Sequence, residues 1–177
     1  LTDLAENNED PAAMRAHLEA ARRFDPTQVE PLQALYDLAK KEKRTDDQLS
    51  ALRELSVLDQ HERRVYGRLL VALEEAGRWD EAKRVGERAV FVDVHSPIVH
   101  RIYGQSLSKG GEHAKAIFEY ESALLCLDDD DKKAAASVWV LIAQSQMALK
   151  ASDKAKEAAK KALELDPENE DAKKMVK

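Results

Sequence analysis

The stretch Ser152–Pro167, SDKAKEAAKKALELDP, decides the fold of this chain. Ser152 or Asp153 is placed to cap the N-terminus of a helix, and Pro167 cannot continue that helix. Small and apolar residues recur between these ends at three- and four-residue spacing, which places them on one helix face. They are Ala155, Ala159, Ala162 and Leu165. A buried face made mostly of alanine indicates a helix that lies very close to its neighbour.

The same pattern recurs upstream at a fixed interval. Positions equivalent to Ala162 are spaced by 34 residues, except that the last interval is 39; they are Ala21, Leu55, Ala89 and Ala123. A separate series of large residues has intervals of 34, 34 and 39, at Leu32, Tyr66, His100 and Trp139. Both series place the extra residues between Cys126 and Ala136, where DDDDKK is inserted. Two independent series with one period predict an array of helix–turn–helix units.

The unit that begins at Ala136 carries large and small residues in a defined order: Trp139, Ile142, Ala143, Ala155, Ala162 and Pro167. This order and the 34-residue period resemble those of the tetratricopeptide repeat family. The unit that begins at Pro97 follows the same order, although His100 stands where the family has an aromatic residue. The resemblance implies an all-α fold, a right-handed superhelical α-solenoid of antiparallel helix pairs.

The register of the repeats divides the chain. We expect a single solenoid over residues 1–177 that is a piece of a longer tetratricopeptide protein. Its parts are a partial repeat at 1–26, repeats at 29–62, 63–96, 97–135 and 136–169, and a partial repeat or capping helix at 170–177, with the acidic insertion at 128–133. Because each repeat packs only on its neighbours, the interfaces between repeats together stabilise the array.

Composition limits the classes of function. The chain is 44% hydrophobic but only 5% aromatic, and 35% of its residues are charged, which is typical of a soluble helical protein. A formal net charge of -6 argues against nucleic acid as a partner. No apolar run is long enough to cross a bilayer, so we expect no membrane insertion. We expect any targeting segment to lie outside this piece of the chain, so the compartment stays open on the sequence, with the cytoplasm favoured.

The candidate chemical groups point away from catalysis. The five histidines have no metal-ligand spacing, and His100 takes the place of a packing aromatic residue, so we expect a partly buried structural histidine. Cys126 occupies a position that is apolar in other repeats, so we expect a buried thiol and not a nucleophile. The run Asp128–Asp131 lacks the spacing of a calcium loop and is expected to cap a helix that begins near Lys132 or Ala134. We therefore predict no enzymatic activity, no cofactor and no metal site.

The resemblance places any ligand site on the first helices of the repeats, which line a concave groove in tetratricopeptide arrays. Carried onto this sequence, the groove positions are Gln33, Asp37, Arg64, Gly67, Arg68, Val71, Arg101, Gln105, Lys109, Val140 and Gln144. Four of them would form a basic centre: Arg64, Arg68, Arg101 and Lys109. Because arginine holds a carboxylate through two hydrogen bonds, an acidic or C-terminal peptide is the expected partner. The alternative for each residue singly is a solvated charge on a helix face.

Three functions remain open on the sequence alone. The first is a non-catalytic protein–protein interaction scaffold that binds a protein or an extended peptide segment in its concave groove. The second is an architectural or dimerisation segment whose groove holds no ligand. The third is a regulatory or substrate-presenting arm of a larger enzyme whose catalytic domain lies outside this sequence.

Overall fold

The computed structural model describes residues 10–176, which form ten α-helices and no strand. The helices are α1 (Pro11–Phe24), α2 (Glu30–Lys41), α3 (Thr45–Leu58), α4 (Arg63–Glu75), α5 (Trp79–Val92), α6 (Pro97–Lys109), α7 (His113–Leu125), α8 (Lys132–Ala148), α9 (Ser152–Leu165) and α10 (Glu170–Val176). The all-α prediction is confirmed. Residues 1–9 and 177 lie outside the described residues, and with them the ends of the predicted partial repeats at 1–26 and 170–177. None of the helices within residues 10–176 has the length and apolar composition that a bilayer span requires.

The chain divides into two compact units, with the boundary inside α4 between Ala72 and Leu73. In the first unit, α2 packs against both α1 and α3. Helices α2 and α3 and the part of α4 in this unit contribute buried apolar side chains, whereas α1 contributes no fully buried residue. Ion pairs tie α1 to the rest of this unit, and they join Arg15 to Glu42 and Arg22 to Glu54.

In the second unit, each helix from α5 to α10 packs against the next one along the chain. Helix α8 also contacts α6 and α10, so these three helices lie side by side. The interior consists of apolar residues contributed by α6, α7, α8 and α9. Its fully buried members include Leu107, Ala116, Tyr120, Ala123, Ile142 and Ala159.

Small residues set the distance between packed helices in the second unit. The three alanines of the stripe predicted on α9, Ala155, Ala159 and Ala162, are each at most 1% exposed, whereas Leu165 is half-buried. Between α6 and α7 the small residue is Gly104, where a Cβ atom would lie 2.6 Å from Cε1 of Tyr120. Such positions let paired helices approach to about 8 to 10 Å between their axes.

The starts of α8 and α9 correct two predictions about capping. Neither Ser152 nor Asp153 caps α9, because Ala151 holds the N-cap position without a side-chain hydrogen bond and Ser152 is already the first helical residue. Helix α8 begins at Lys132 as predicted, but Asp131 at its N-cap makes no side-chain hydrogen bond to the helix. The acidic run therefore supplies negative charge near the N-terminus of α8, while the side chain of Asp131 satisfies none of the backbone N–H groups there.

The core position predicted for Cys126 is also wrong. Cys126 is half-buried at the C-cap of α7. The equivalent residues Phe24 and Leu58 are 92% and 40% exposed. This position falls at the last residue of a second helix or just after it, and the side chains there are half-buried or exposed. By contrast, His100 is 8% exposed, so the prediction of a buried histidine is confirmed.

Candidate functional site

A groove of about 520 Å³ lies in the second unit along α6, α8 and α10, and we call it the second-unit groove. Its volume is within the range of roughly 300 to 1,000 Å³ that is usual for ligand sites. The apolar lining consists of Pro97, Ile98, Leu127, Ala134, Val138, Val140 and Leu141. The polar lining consists of Arg101, Gln105, Ser137, Gln144, Asn169 and Asp171.

Helix periodicity explains how α6 and α8 present these side chains. Residues three, four and seven positions apart share one face of a helix. The groove residues with this spacing are Ile98, Arg101 and Gln105 on α6 and Ser137, Leu141 and Gln144 on α8. Val99 and Ile102, which are 0% exposed, occupy an adjacent, core-facing side of α6. One face of each helix therefore stabilises the fold and the other is left for the groove.

Arg101 is the one cation in the lining of the second-unit groove, and its charge is already paired. Its Nη1 donates to Oε1 of Glu74 at 2.7 Å, and its Nη2 donates to Oε2 of the same residue at 2.9 Å. Nη1 also donates to Oε1 of Gln105 at 2.7 Å. The two-point contact is the geometry in which arginine binds a carboxylate most specifically. Glu74 therefore occupies the face of Arg101 that a ligand carboxylate would use.

The rest of the polar lining carries little net charge. Asp171 pairs with Lys174 at 3.0 Å, and both side chains are largely exposed. Asn169 accepts a hydrogen bond from the backbone N–H of Ala172 at 3.0 Å. Gln144 is exposed, and within residues 10–176 its side-chain amide has no hydrogen-bond partner. Because an amide has both donors and an acceptor, Gln144 is available to the backbone of a ligand.

The predicted residues of the first unit form a cluster of their own. Nη1 of Arg68 donates to Oε1 of Gln33 at 3.1 Å, and Nε2 of Gln33 donates to Oδ2 of Asp37 at 3.2 Å. The guanidinium of Arg68 also lies 5.4 Å from the ring centroid of Tyr36, within cation–π range. At Gly67, a Cβ atom would meet no heavy atom within 4 Å. The charge of Arg68 is thus engaged by its own unit.

The remaining predicted residues differ in their settings. Arg64 is exposed on α4, and Val71 is half-buried there. Lys109 ends α6 and holds its Nζ 5.7 Å from the ring centroid of Trp79, outside the lining of the second-unit groove. Val140 lines the groove but is only 6% exposed, so most of its side chain belongs to the core. The structure brings together in one groove Arg101, Gln105, Val140 and Gln144.

Sequence reasoning missed two contributions to the groove. Glu74 lies 27 residues before Arg101 in the chain, and its carboxylate neutralises the charge of that arginine. The available signal was weak: Glu74 stands at a groove position of the preceding repeat and has the opposite charge, but many such pairs never meet. Asp171 reaches the groove from α10, which lies beside α8, and Asn169 reaches it from the loop just before α10.

The described side chains show few arrangements that suit metal binding or nucleophilic catalysis. Within residues 10–176, no group of three or more His, Cys, Asp or Glu side chains is arranged to hold a metal ion. The hydroxyl of Ser137 lies at the groove but donates to the carbonyl oxygen of Lys133 on its own helix at 3.0 Å. A serine engaged in this way lacks the adjacent base that activates a nucleophile. The arrangement suits binding through apolar contacts and amide hydrogen bonds.

Comparisons with known proteins agree with this fold. A crystal structure of MamA is 24% identical, with a TM-score of 0.72, and the match covers 88% of this chain and 87% of that one. YrrB, described as a TPR protein with an unusual peptide-binding site, is 14% identical, with a TM-score of 0.77 and coverage of 90% and 80%. The first TPR of Spaghetti (RPAP3), solved with a bound HSP90 peptide, is 17% identical, with a TM-score of 0.57 and coverage of 65% and 87%. No curated protein sequence matches the chain at a significant level.

The family match rests on sequence, and the other matches rest on structure. At the level of sequence, the model of the tetratricopeptide repeat family matches residues 136–169. At the level of structure, identities below 25% establish a shared fold over most of the chain. The chain therefore matches the tetratricopeptide repeat model at residues 136–169 and shares the fold of solved tetratricopeptide-repeat proteins such as YrrB.

Proposed function

We propose that this chain is a protein-interaction scaffold that binds an extended protein segment in the second-unit groove, without catalysis. The observation that carries the proposal is the groove itself, about 520 Å³ in volume and lined by apolar and amide side chains. Ligand sites commonly combine apolar walls with a few polar groups that fix orientation. The peptide-binding site described for YrrB and the peptide bound to RPAP3 support this type of function on this fold.

The charges of the groove favour a neutral segment with apolar side chains. Because Glu74 holds Arg101 by two hydrogen bonds, a ligand carboxylate would have to displace Glu74 to reach the guanidinium. Ile98 is 47% exposed and Leu141 is half-buried, so both offer apolar surface to a ligand. The free amide of Gln144 can pair with a peptide N–H or C=O. An acidic or C-terminal peptide remains the alternative ligand.

Exposed apolar side chains favour a second candidate function, an architectural or dimerisation segment. Phe91 on α5 is 81% exposed, and Phe118 and Leu125 on α7 are 66% and 88% exposed. Exposed apolar surface commonly marks a contact with another protein. In this candidate, the partner covers the second helices and the groove has no ligand.

Peptide selection tests the proposal. A random peptide library displayed on phage is selected against the wild-type chain, and the enriched peptides are titrated against variants. Ile98→Ala should weaken binding about fivefold, because the exposed half of an isoleucine side chain contributes about 1 kcal/mol when a ligand buries it. Ile98→Glu should weaken binding more than about tenfold, because it also buries an unpaired carboxylate.

The matched control is Phe118→Glu, which places the same charge at an exposed apolar residue outside the groove lining. This variant should bind the enriched peptides as the wild type does, and circular dichroism should show that both glutamate variants remain folded. Loss of binding in Phe118→Glu together with retained binding in Ile98→Glu would overturn the groove proposal and favour the second candidate.

A further inference from the structure

His100 and Glu119 form a buried pair between α6 and α7. Each residue is 8% exposed. His100 lies in the first turn of α6, at the repeat position where Tyr66 and Trp139 stand in neighbouring units. Burying two ionisable groups costs free energy unless each is hydrogen-bonded, so the stability of this pair depends on its hydrogen bonds.

Both ring nitrogens of His100 face acceptors. Nδ1 lies 2.7 Å from Oε2 of Glu119, and Nε2 lies 3.2 Å from the carbonyl oxygen of Val94. A neutral imidazole has only one N–H, whereas the imidazolium ion has two. Because the carboxylate of Glu119 and the carbonyl of Val94 both only accept, the two contacts are satisfied together when the ring is protonated at both nitrogens. Val94 belongs to the loop between α5 and α6, so the ring joins this loop to α7.

The other groups around the pair come from each element that packs on α6. Asp93, directly after α5, acts on the histidine with its negative charge. At the end of α7, Sγ of Cys126 donates to the carbonyl oxygen of Val94 at 3.7 Å, which is a weak bond. Helix α8 carries its charged residues, Lys132 and Lys133, exposed at its N-terminal end.

We propose that His100 and Glu119 form a proton-dependent latch that holds the first turn of α6 and the α5–α6 loop against α7. Loss of one proton leaves Nε2 of His100 with a lone pair facing the carbonyl of Val94, and among residues 10–176 that carbonyl then keeps the weak thiol donor of Cys126 alone. The hydrogen bond from His100 to the α5–α6 loop is then lost, while the carboxylate of Glu119 still accepts a hydrogen bond from the remaining N–H at Nδ1. The latch acts within the fold and does not depend on a groove ligand.

The direction of the pH response follows from the same contacts. The hydrogen bond that His100 donates to Glu119 raises the pKa of His100 above its ordinary value of 6.5, although burial acts in the opposite sense, and the carbonyl of Val94 raises it further. Because the pKa is higher in the folded than in the unfolded chain, the stabilisation is complete below pH 6.5 and is lost as the pH rises through the folded-state pKa. The latch is closed at pH values below the folded-state pKa of His100 and opens at pH values above it.

A histidine titration by NMR on the complete chain tests the latch. The ring signals of His100 should titrate with a midpoint above 6.5, and the backbone amide signals of Val94 and Ser96 should shift with the same midpoint. Glu119→Gln keeps an acceptor but removes the charge, so it should lower the midpoint of His100. The control His95→Gln removes an exposed histidine from the same loop and should leave that midpoint unchanged.

Two results would overturn the latch. One is a wild-type midpoint for His100 at or below 6.5. The other is a set of loop amide signals that do not follow the ring, since a histidine with a purely packing role would titrate without moving the loop. If Glu119→Gln does not fold, the wild-type titration decides the question by itself.

Discussion

Gly104→Ala adds one methyl group at a tight contact between α6 and α7. A Cβ atom at this position would lie 2.6 Å from Cε1 of Tyr120, 2.7 Å from its Cδ1, and 3.2 Å from the carbonyl oxygen of Ala116. Tyr120 is 1% exposed, so the surrounding core holds its ring in place. Either α6 must move away from α7, or the Tyr120 ring must leave its preferred rotamer.

Two effects of opposite sign determine the result of this substitution. Alanine is favoured over glycine in a helix interior by about 0.8 to 1 kcal/mol. Overpacking a core typically costs about 1 to 3 kcal/mol, and a contact as short as this one with a buried ring belongs at the upper end. We therefore expect Gly104→Ala to lower the free energy of unfolding by about 1 to 2 kcal/mol. For a chain of this size, each kcal/mol lowers the melting temperature by about 2 to 4 °C.

Gly67→Ala is the matched control, because it replaces a glycine in α4 where a Cβ atom would meet nothing within 4 Å. Here the helix preference acts alone and should raise the free energy of unfolding by about 0.4 to 1 kcal/mol. Urea unfolding followed by circular dichroism measures both variants. The reasoning is refuted if Gly104→Ala is as stable as the wild type, or if both variants change stability in the same direction.

Two further predictions concern charged side chains of the second unit. Glu74→Gln frees the guanidinium of Arg101, so an acidic peptide should bind this variant more tightly than the wild type, and equal binding would argue against acid recognition by Arg101. Hydrogen bonds from Lys115 and Lys83 lower the pKa of Glu112 from 4.5 to about 2. The stabilisation from these contacts should be complete above pH 4.5 and lost as the pH falls toward 2, and a carbon-13 NMR titration of Glu112 with a midpoint near 4.5 would contradict it.

The helical fold could be predicted from the sequence because small residues must recur wherever paired helices approach closely. Ala116 and Ala155, which are 0% and 1% exposed, occupy equivalent positions of this kind in successive repeats. The N-cap of α9 could not be predicted in this way. The backbone enters that helix through Lys150, whose φ is 61°, and this conformation makes Ala151 the cap in place of Ser152.

The electrostatic state of the groove could not be predicted from residue types. The sequence identifies Arg101 as a cation, but its pairing with Glu74 depends on the distance between side chains of neighbouring repeats. The same holds for His100: its burial followed from its repeat position, whereas its partner Glu119 lies 19 residues away on another helix. Periodicity predicts which residues face the core, and it contains no information on which exposed charges meet.

The structure of the complete chain with a selected peptide bound tests the central claim most directly. The account predicts a peptide extended along α6 and α8, with its backbone hydrogen-bonded to the amide of Gln144 and an apolar side chain packed against Ile98. A peptide that lies against the second helices around Phe118, with the second-unit groove left open, would contradict the account.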